Sequence, residues 1–161
     1  GSPDDKPGSP TIYGLSNEKN DLVLEKIQTD GVKVYDGTIR YIKVVRAAGL
    51  RTAIVSSSAN TIDVLNAARI ADLFDARVDG NVAKEQHLKG KPAPDTFLAA
   101  AQDLGVSPAH AAVFEDAQSG VAAGHAGHFA LVVGVDRVGQ ADELRKHGAD
   151  IVVQDVAELL G

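Results

Sequence analysis

The sequence predicts an α/β chain built on a parallel sheet covered by helices. Short runs that are apolar throughout carry that prediction first: Thr52-Ala53-Ile54-Val55, Ala111-Ala112-Val113-Phe114, Ala130-Leu131-Val132-Val133 and Ile151-Val152-Val153. Strands that do not alternate are those buried on both faces. Segments with helical spacing of apolar residues separate them, so strand and helix take turns along the chain. Right-handed crossovers then put the strand C-terminal ends on one edge, where open α/β sheets bind ligands.

The elements follow in order. Residues Gly1 to Pro10 hold three Pro, two Gly and two Ser without apolar periodicity, and read as a loop or linker. From Asn17 to Thr29, Val23, Leu24 and Ile27 recur at helical spacing, and Asp30-Gly31 closes that helix. A second helix spans Gly37 to Ala48, with Ile39, Ile42 and Val45 on one stripe and Gly49 as its stop. The strand Thr52–Val55 leads into a helix from Asn60 to Ala68, and Ala76–Val78 reads as a weak strand. Pro92 suits the first position of a helix that runs through Leu104, with Phe97, Ala101 and Leu104 on one face. After the strand ending at Phe114 come an Ala- and Gly-rich helix from Ala117 to Ala126 and the strand ending at Val133. A helix over Gln140 to His147, the strand Ile151–Val153 and a helix over Asp155 to Leu160 complete the chain.

Composition bounds the function. A length of 161 residues suits one domain, and 44% hydrophobic with 24% charged residues excludes disorder over the whole chain. No apolar run approaches the roughly 18 residues of a membrane-spanning helix. Lys and Arg total 16 against 22 Asp and Glu, a net charge of -6 that argues against a nucleic-acid partner. The absence of Cys excludes disulfides, thiolate catalysis and Cys-based zinc sites. The chain has no Met and begins Gly1-Ser2-Pro3, so a processed start or a fragment is expected. No dinucleotide fingerprint or Walker-type loop follows a strand, and Tyr13, Tyr35 and Tyr41 are too scattered to stack bases. His125 and His128 stand three apart without an evident third metal ligand.

The informative residues lie at the strand ends. Ser56-Ser57-Ser58-Ala59-Asn60 follows the first strand, where a hydroxyl and the next backbone N–H groups suit an anion, or equally a helix N-cap. In Gly90-Lys91-Pro92-Ala93-Pro94-Asp95 the lysine precedes the expected helix start, at the positive end of the dipole; a bound anion would make that placement favourable, and a solvated lysine is the plain alternative. Phe114-Glu115-Asp116 places two carboxylates at the exit of a buried strand, which is costly unless a cation satisfies them. Oxygen donors suit Mg²⁺, although Asp116 can also serve as a helix cap. Asp136-Arg137 follows a later strand and suits either the same edge or a surface loop. A hydroxyl, a lysine and a carboxylate pair are parts for phosphoryl transfer; the nucleophile is missing.

In this order, Ser56, Lys91-Pro92 and Glu115-Asp116 resemble the second, third and fourth motifs of the haloacid dehalogenase-like phosphatases. The wording from Ser56 to Asn60, from Gly90 to Asp95, and over Phe114-Glu115-Asp116-Ala117-Gln118-Ser119-Gly120 is similar to the β-phosphoglucomutase branch, in particular to actinobacterial, mycobacterial-type members. The resemblance implies a three-layer Rossmann-like parallel sheet flanked by helices, with a loop of the cap over 1–10, a remnant of a helical cap over 11–35 and the core over 36–161. It implies Ser56 and Lys91 as catalytic groups that hold the transferring phosphoryl group with the backbone N–H of Ser57. It implies Asp116 as a Mg²⁺ ligand, with Glu115 also at the metal, as a ligand or directly behind one, and Ser58 and Asn60 on a second phosphate, although relatives often carry Lys where this chain has Ala59. Glu18-Lys19-Asn20-Asp21 resembles the last cap helix, which makes Lys19 a candidate substrate contact.

The family's nucleophile lies in an Asp-x-Asp at the end of the first strand, and no Asp-x-Asp occurs in this chain. The resemblance therefore implies that the central first strand, the nucleophile and most of the cap lie upstream of Gly1. It implies a cytoplasmic, Mg²⁺-dependent mutase or phosphatase acting on a sugar phosphate through an aspartyl-phosphate, inactive as this chain alone, with no nucleic-acid or membrane partner. The N-terminal part of the protein, or another chain, would complete the sheet. Two other classes remain: a catalytically dead relative, marked by phosphate binding without turnover, and a phosphoacceptor receiver domain. In receivers the acidic residues precede the hydroxyl and the lysine, whereas here they come last.

Overall fold

A computed structural model describes residues 35–161. In chain order the elements are α1 (Asp36–Ala47), β1 (Ala53–Val55), α2 (Thr61–Ala67), β2 (Ala76–Val78), α3 (Gly80–Glu85), α4 (Asp95–Leu104), β3 (Ala112–Glu115), α5 (Gln118–Ala126), β4 (Leu131–Val135), α6 (Ala141–Lys146) and β5 (Ile151–Val153), with 3₁₀ turns at Ala71–Leu73, Pro108–His110 and Val156–Leu160. The described residues fall into two compact units, 60–71 and the remainder, 35–59 with 72–161. The expected helix over Asn17 to Thr29, the cap remnant and Lys19 lie outside the described residues.

The small unit is α2 and its ends. Asn60 occupies the N-cap position without a capping side-chain bond, and Thr61 and Leu65 are buried. Ile70 closes the C-terminal turn by donating to the Leu65 carbonyl at 3.0 Å.

The larger unit is parallel α/β, as the sequence predicts, with its strands in two sheets. In one, β1 pairs with β2, Val55 opposite Val78; in the other the order is β3-β4-β5, with Val133 opposite both Phe114 and Ile151. Among the described residues β1 and β3 share no backbone hydrogen bonds. Side chains join the sheets instead. Phe97 of α4 packs with Val113 of β3 and Ala123 of α5, and Val55 of β1 and Phe129 close on that cluster. Phe97 and Phe129 meet edge to face, 6.1 Å between centroids. A second cluster, Val121, Val132 and Leu144, lies beneath α5 and α6.

Burial corrects one expectation. Only β4 is buried along nearly its whole length; β1 is half-buried, and Ala112 and Phe114 of β3 are exposed. The reason is pairing. β4 has a hydrogen-bonded neighbour on each side, whereas β1 and β3 have one each.

Three helices also depart from expectation. The helix expected to open at Pro92 begins at Asp95, because Ala93 precedes Pro94 and a residue before proline disfavours the α region. It ends at Gly105, φ +69°, a left-handed cap that glycine adopts without strain. The sequence analysis misses α3, a short helix with no apolar stripe that starts because the Asp79 carboxylate accepts from the Val82 N–H at 2.9 Å. The last segment is a 3₁₀ turn rather than an α-helix, fixed by a capping box between Asp155 and Glu158. Among the described residues no helix is long and apolar enough to cross a membrane.

The start of β1 is held by one carboxylate. Asp75 accepts from the Thr52 N–H and from Arg46 Nη1, both at 2.8 Å, and Arg46 also reaches Thr52 Oγ1 at 2.9 Å. The Thr52 backbone bond, then Arg46, holds the Asp75 carboxyl below its ordinary value. A lowered folded pKa gives stability that is present above the unfolded value of about 3.9 and lost as pH falls through the folded one. Asp75→Asn is therefore expected to lower the melting temperature at neutral pH and to flatten its decline below about pH 4; an unchanged acid limb would contradict this brace.

Candidate functional site

The serine loop starts where β1 ends. The Ser56 N–H donates to the Val78 carbonyl at 2.9 Å, extending the parallel pairing by one residue. The chain then folds back, and Ser56 Oγ accepts from the Ser58 N–H at 3.1 Å. The start of α3 carries this loop. Gly80 N–H donates to the Ser58 carbonyl at 2.9 Å, and Asn81 Nδ2 to the Ala59 carbonyl at 3.2 Å. A Cβ on Gly80 would stand 2.7 Å from the Ser57 carbonyl oxygen and 3.0 Å from the Ala59 nitrogen, so only glycine lets the loop lie this close. Buried Asp79 anchors the support, capping α3 and pairing with Arg77 Nε at 3.1 Å. Ser57 and Ser58 are exposed, and Ser56 is half-buried.

Lys91 and Glu115 form an ion pair, each side chain only 12% exposed. The ammonium also lies 4.8 Å from the centroid of the Phe97 ring, a cation–π placement. Thus the expectation that Lys91 stands immediately before a helix start is corrected: it lies four residues before α4, and a carboxylate answers its charge. Glu115 uses its other oxygen to accept from the Ala117 N–H at 3.0 Å, where α5 begins. A Cβ on Gly120 would fall 2.1 Å from Glu115 Cδ and 2.4 Å from both carboxylate oxygens. The carboxylate occupies the space that any other residue at 120 would need.

Asp116 is exposed and does not cap α5, whose N-cap position is Ala117. Among the described residues no hydrogen bond or ion pair engages its carboxylate, while its carbonyl accepts from Gln140 Nε2 at 2.7 Å. Also among the described residues, no three His, Cys, Asp or Glu side chains gather to hold a metal ion. The donor set still fits Mg²⁺, which takes one or two protein carboxylates and fills its octahedron with water and phosphate oxygens. An uncommitted carboxylate beside a paired one is such a set.

One run of contacts links these parts: Ser56 follows Val55, Val55 packs against the cluster that contains Phe97, the Phe97 ring carries Lys91, and Lys91 binds Glu115. Asn60 belongs to the small unit. His128 lies beyond the end of α5 at φ +58°, off the helical register of His125.

The loop after β4 is also built. The Asp136 carboxylate accepts from the N–H groups of Val138, Gly139 and Gln140 at 3.2, 2.7 and 2.8 Å, and these bonds, Gln140 foremost, hold its carboxyl below the ordinary value. Arg137 stacks on Tyr35, its guanidinium carbon 3.7 Å from the ring centroid, and reaches Thr38 Oγ1 at 3.4 Å. The sequence analysis assigns no site role to Gly80, Gly120, Gln118 or Gln140. The Asp79-Gly80 pair directly after a strand is the one local signal for the first of these.

Comparison with known proteins matches this arrangement to a family. The model of the haloacid dehalogenase-like hydrolases matches residues 6–128. A β-phosphoglucomutase of Mycobacterium bovis is 57% identical over 163 residues, covering 99% of this chain and 62% of that protein. A β-phosphoglucomutase of Bacillus subtilis is 40% identical over 124 residues, covering 76% of this chain and 50% of its own length. The crystal structure of β-phosphoglucomutase from Clostridium difficile superposes with a TM-score of 0.76 at 30% identity, covering 90% of this chain and 61% of that one. The chain thus spans less than two thirds of the length of each of these relatives. It belongs to the haloacid dehalogenase-like hydrolase family, in the β-phosphoglucomutase-type branch.

Proposed function

We propose that the complete protein is a Mg²⁺-dependent, cytoplasmic enzyme that transfers the phosphoryl group of a sugar phosphate through an aspartyl-phosphate, as a β-phosphoglucomutase or a related phosphatase. Membership in a family of phosphatases and phosphomutases supports the general reaction. The receiver reading has no such support. The observation that carries the proposal is the Lys91–Glu115 pair beside the uncommitted Asp116 carboxylate at the end of β3.

Each residue then has a task. An ammonium has three N–H donors, so Glu115 holds Lys91 in place and leaves donors for phosphoryl oxygens. Ser56 Oγ and the Ser57 N–H contribute two more, on a loop whose shape is fixed by α3. Asp116 is the proposed metal ligand, and Mg²⁺ when bound supplies charge that offsets the phosphoryl oxygens. Ser58, Asn60 and Lys19 are candidates for the second phosphate. The aspartate nucleophile and the strand that carries it are proposed to come from a part of the protein outside this chain, with that strand pairing between β1 and β3.

Turnover of β-glucose 1-phosphate by the complete protein with Mg²⁺ is the test. Lys91→Ala and Asp116→Asn are each expected to lower kcat/KM by about 100-fold or more. Phosphate binding without turnover would instead mark a catalytically dead relative. The chain of 161 residues alone is expected to show no activity on this substrate or on p-nitrophenyl phosphate; activity there would refute the missing nucleophile.

Gly120→Ala provides an independent check on the Glu115 geometry. Helix propensity alone favours Ala by roughly 0.5–1 kcal/mol. The alanine Cβ would displace the Glu115 carboxylate from Lys91 and from the Ala117 N–H, so the variant is expected to lose turnover. A raised melting temperature with full activity would contradict the packing.

A further inference from the structure

We propose that Gln140 is a positioning residue that fixes the Asp116 turn for metal binding, an inference that rests on the reading of Asp116 as the metal ligand. Gln140 stands at the N-cap position of α6, yet its side chain does not cap that helix. It spans to the neighbouring strand end, where Nε2 donates to the Asp116 carbonyl at 2.7 Å and Oε1 accepts from Gln118 Nε2 at 3.1 Å. Both halves of the amide are therefore used. A carbonyl only accepts, so the nitrogen must face Asp116 and the oxygen must face Gln118.

The amide is held from behind as well. The Gln140 N–H donates to the Asp136 carboxylate, which also gathers the N–H groups of Val138 and Gly139. Asp136 follows β4, the central strand of its sheet, so a rigid strand end sets the loop, the loop sets Gln140, and Gln140 sets the peptide after Asp116. Orienting that peptide orients the Asp116 side chain, which has no hydrogen bond or ion pair of its own among the described residues. Ser, Thr, Asn and Asp are the strong N-caps, so a glutamine here is poorly suited to its local position and well suited to reach across. Partners that orient a metal ligand commonly matter about 10–100-fold in affinity.

The test uses the complete protein without substrate, with Mg²⁺ as the probe, titrated by calorimetry against the wild type, Gln140→Met and Asp116→Asn. Methionine keeps the length of the side chain and removes both hydrogen bonds. The expected result is that Asp116→Asn abolishes binding and Gln140→Met weakens it about tenfold, with melting in metal-free buffer unchanged. If Asp116→Asn abolishes binding while Gln140→Met binds as the wild type does, this inference falls and the metal site stands. If Asp116→Asn binds normally, the metal site falls and this inference with it. A metal-free melting temperature lowered by Gln140→Met with Mg²⁺ affinity unchanged would assign the residue to the fold alone and overturn its role toward the metal.

Discussion

The part-buried pairing of Lys91 with Glu115 is the constraint on which the proposed site depends. Lys91 precedes the helix that covers β1 and β2, and Glu115 ends β3, so the pair is a polar tie between two sheets that share no backbone bonds among the described residues. Removing one member of a fully buried ion pair commonly costs about 3–5 kcal/mol, since the other charge is left uncompensated, and this sets an upper bound for the part-buried pair here. That cost far exceeds the typical worth of an exposed surface pair, such as Arg145 with Asp142. The fold therefore holds a charged group at low exposure beside the end of β3, where the proposed phosphoryl transfer would use one.

Close approach is the second theme. The serine loop and the Glu115 carboxylate each lie against the first turn of a helix, and in both places a glycine leaves the space: Gly80 under the loop and Gly120 under the carboxylate. Hydrogen bonds to backbone carbonyls finish the job, from Gly80 and Asn81 to the serine loop and from Gln140 to the acidic turn. The geometry of these two strand ends is thus set by main-chain positions together with the Lys91–Glu115 pair.

Much of this was legible in the sequence, for a physical reason. A strand that is apolar and then abruptly polar marks its own C-terminal end, so Ser56 and Glu115-Asp116 could be placed at strand ends from the residues alone. The long amphipathic patterns gave α1 and α4. Pro92 misled because two prolines stand two apart, and the restriction that the second imposes on Ala93 outweighs the first one's preference for a helix start. The helix α3 was hidden because six residues, Gly80 to Glu85, are too few to show a period. Gln140 acts on Asp116, 24 residues away, a proximity no spacing along the chain reveals, and Gly120 makes room for Glu115 only once the helix between them is formed. The separation of the strands into two sheets was implied only by the resemblance, since each strand looks complete by itself.

The most direct test of the account is a crystal structure of the complete protein with Mg²⁺ and inorganic phosphate. The account predicts one phosphate that receives hydrogen bonds from Ser56 Oγ and Lys91 Nζ together, Lys91 still paired with Glu115, and a metal ion on the Asp116 carboxylate. Phosphate and metal bound elsewhere, with Ser56 and Lys91 directed to different ligands, would contradict it.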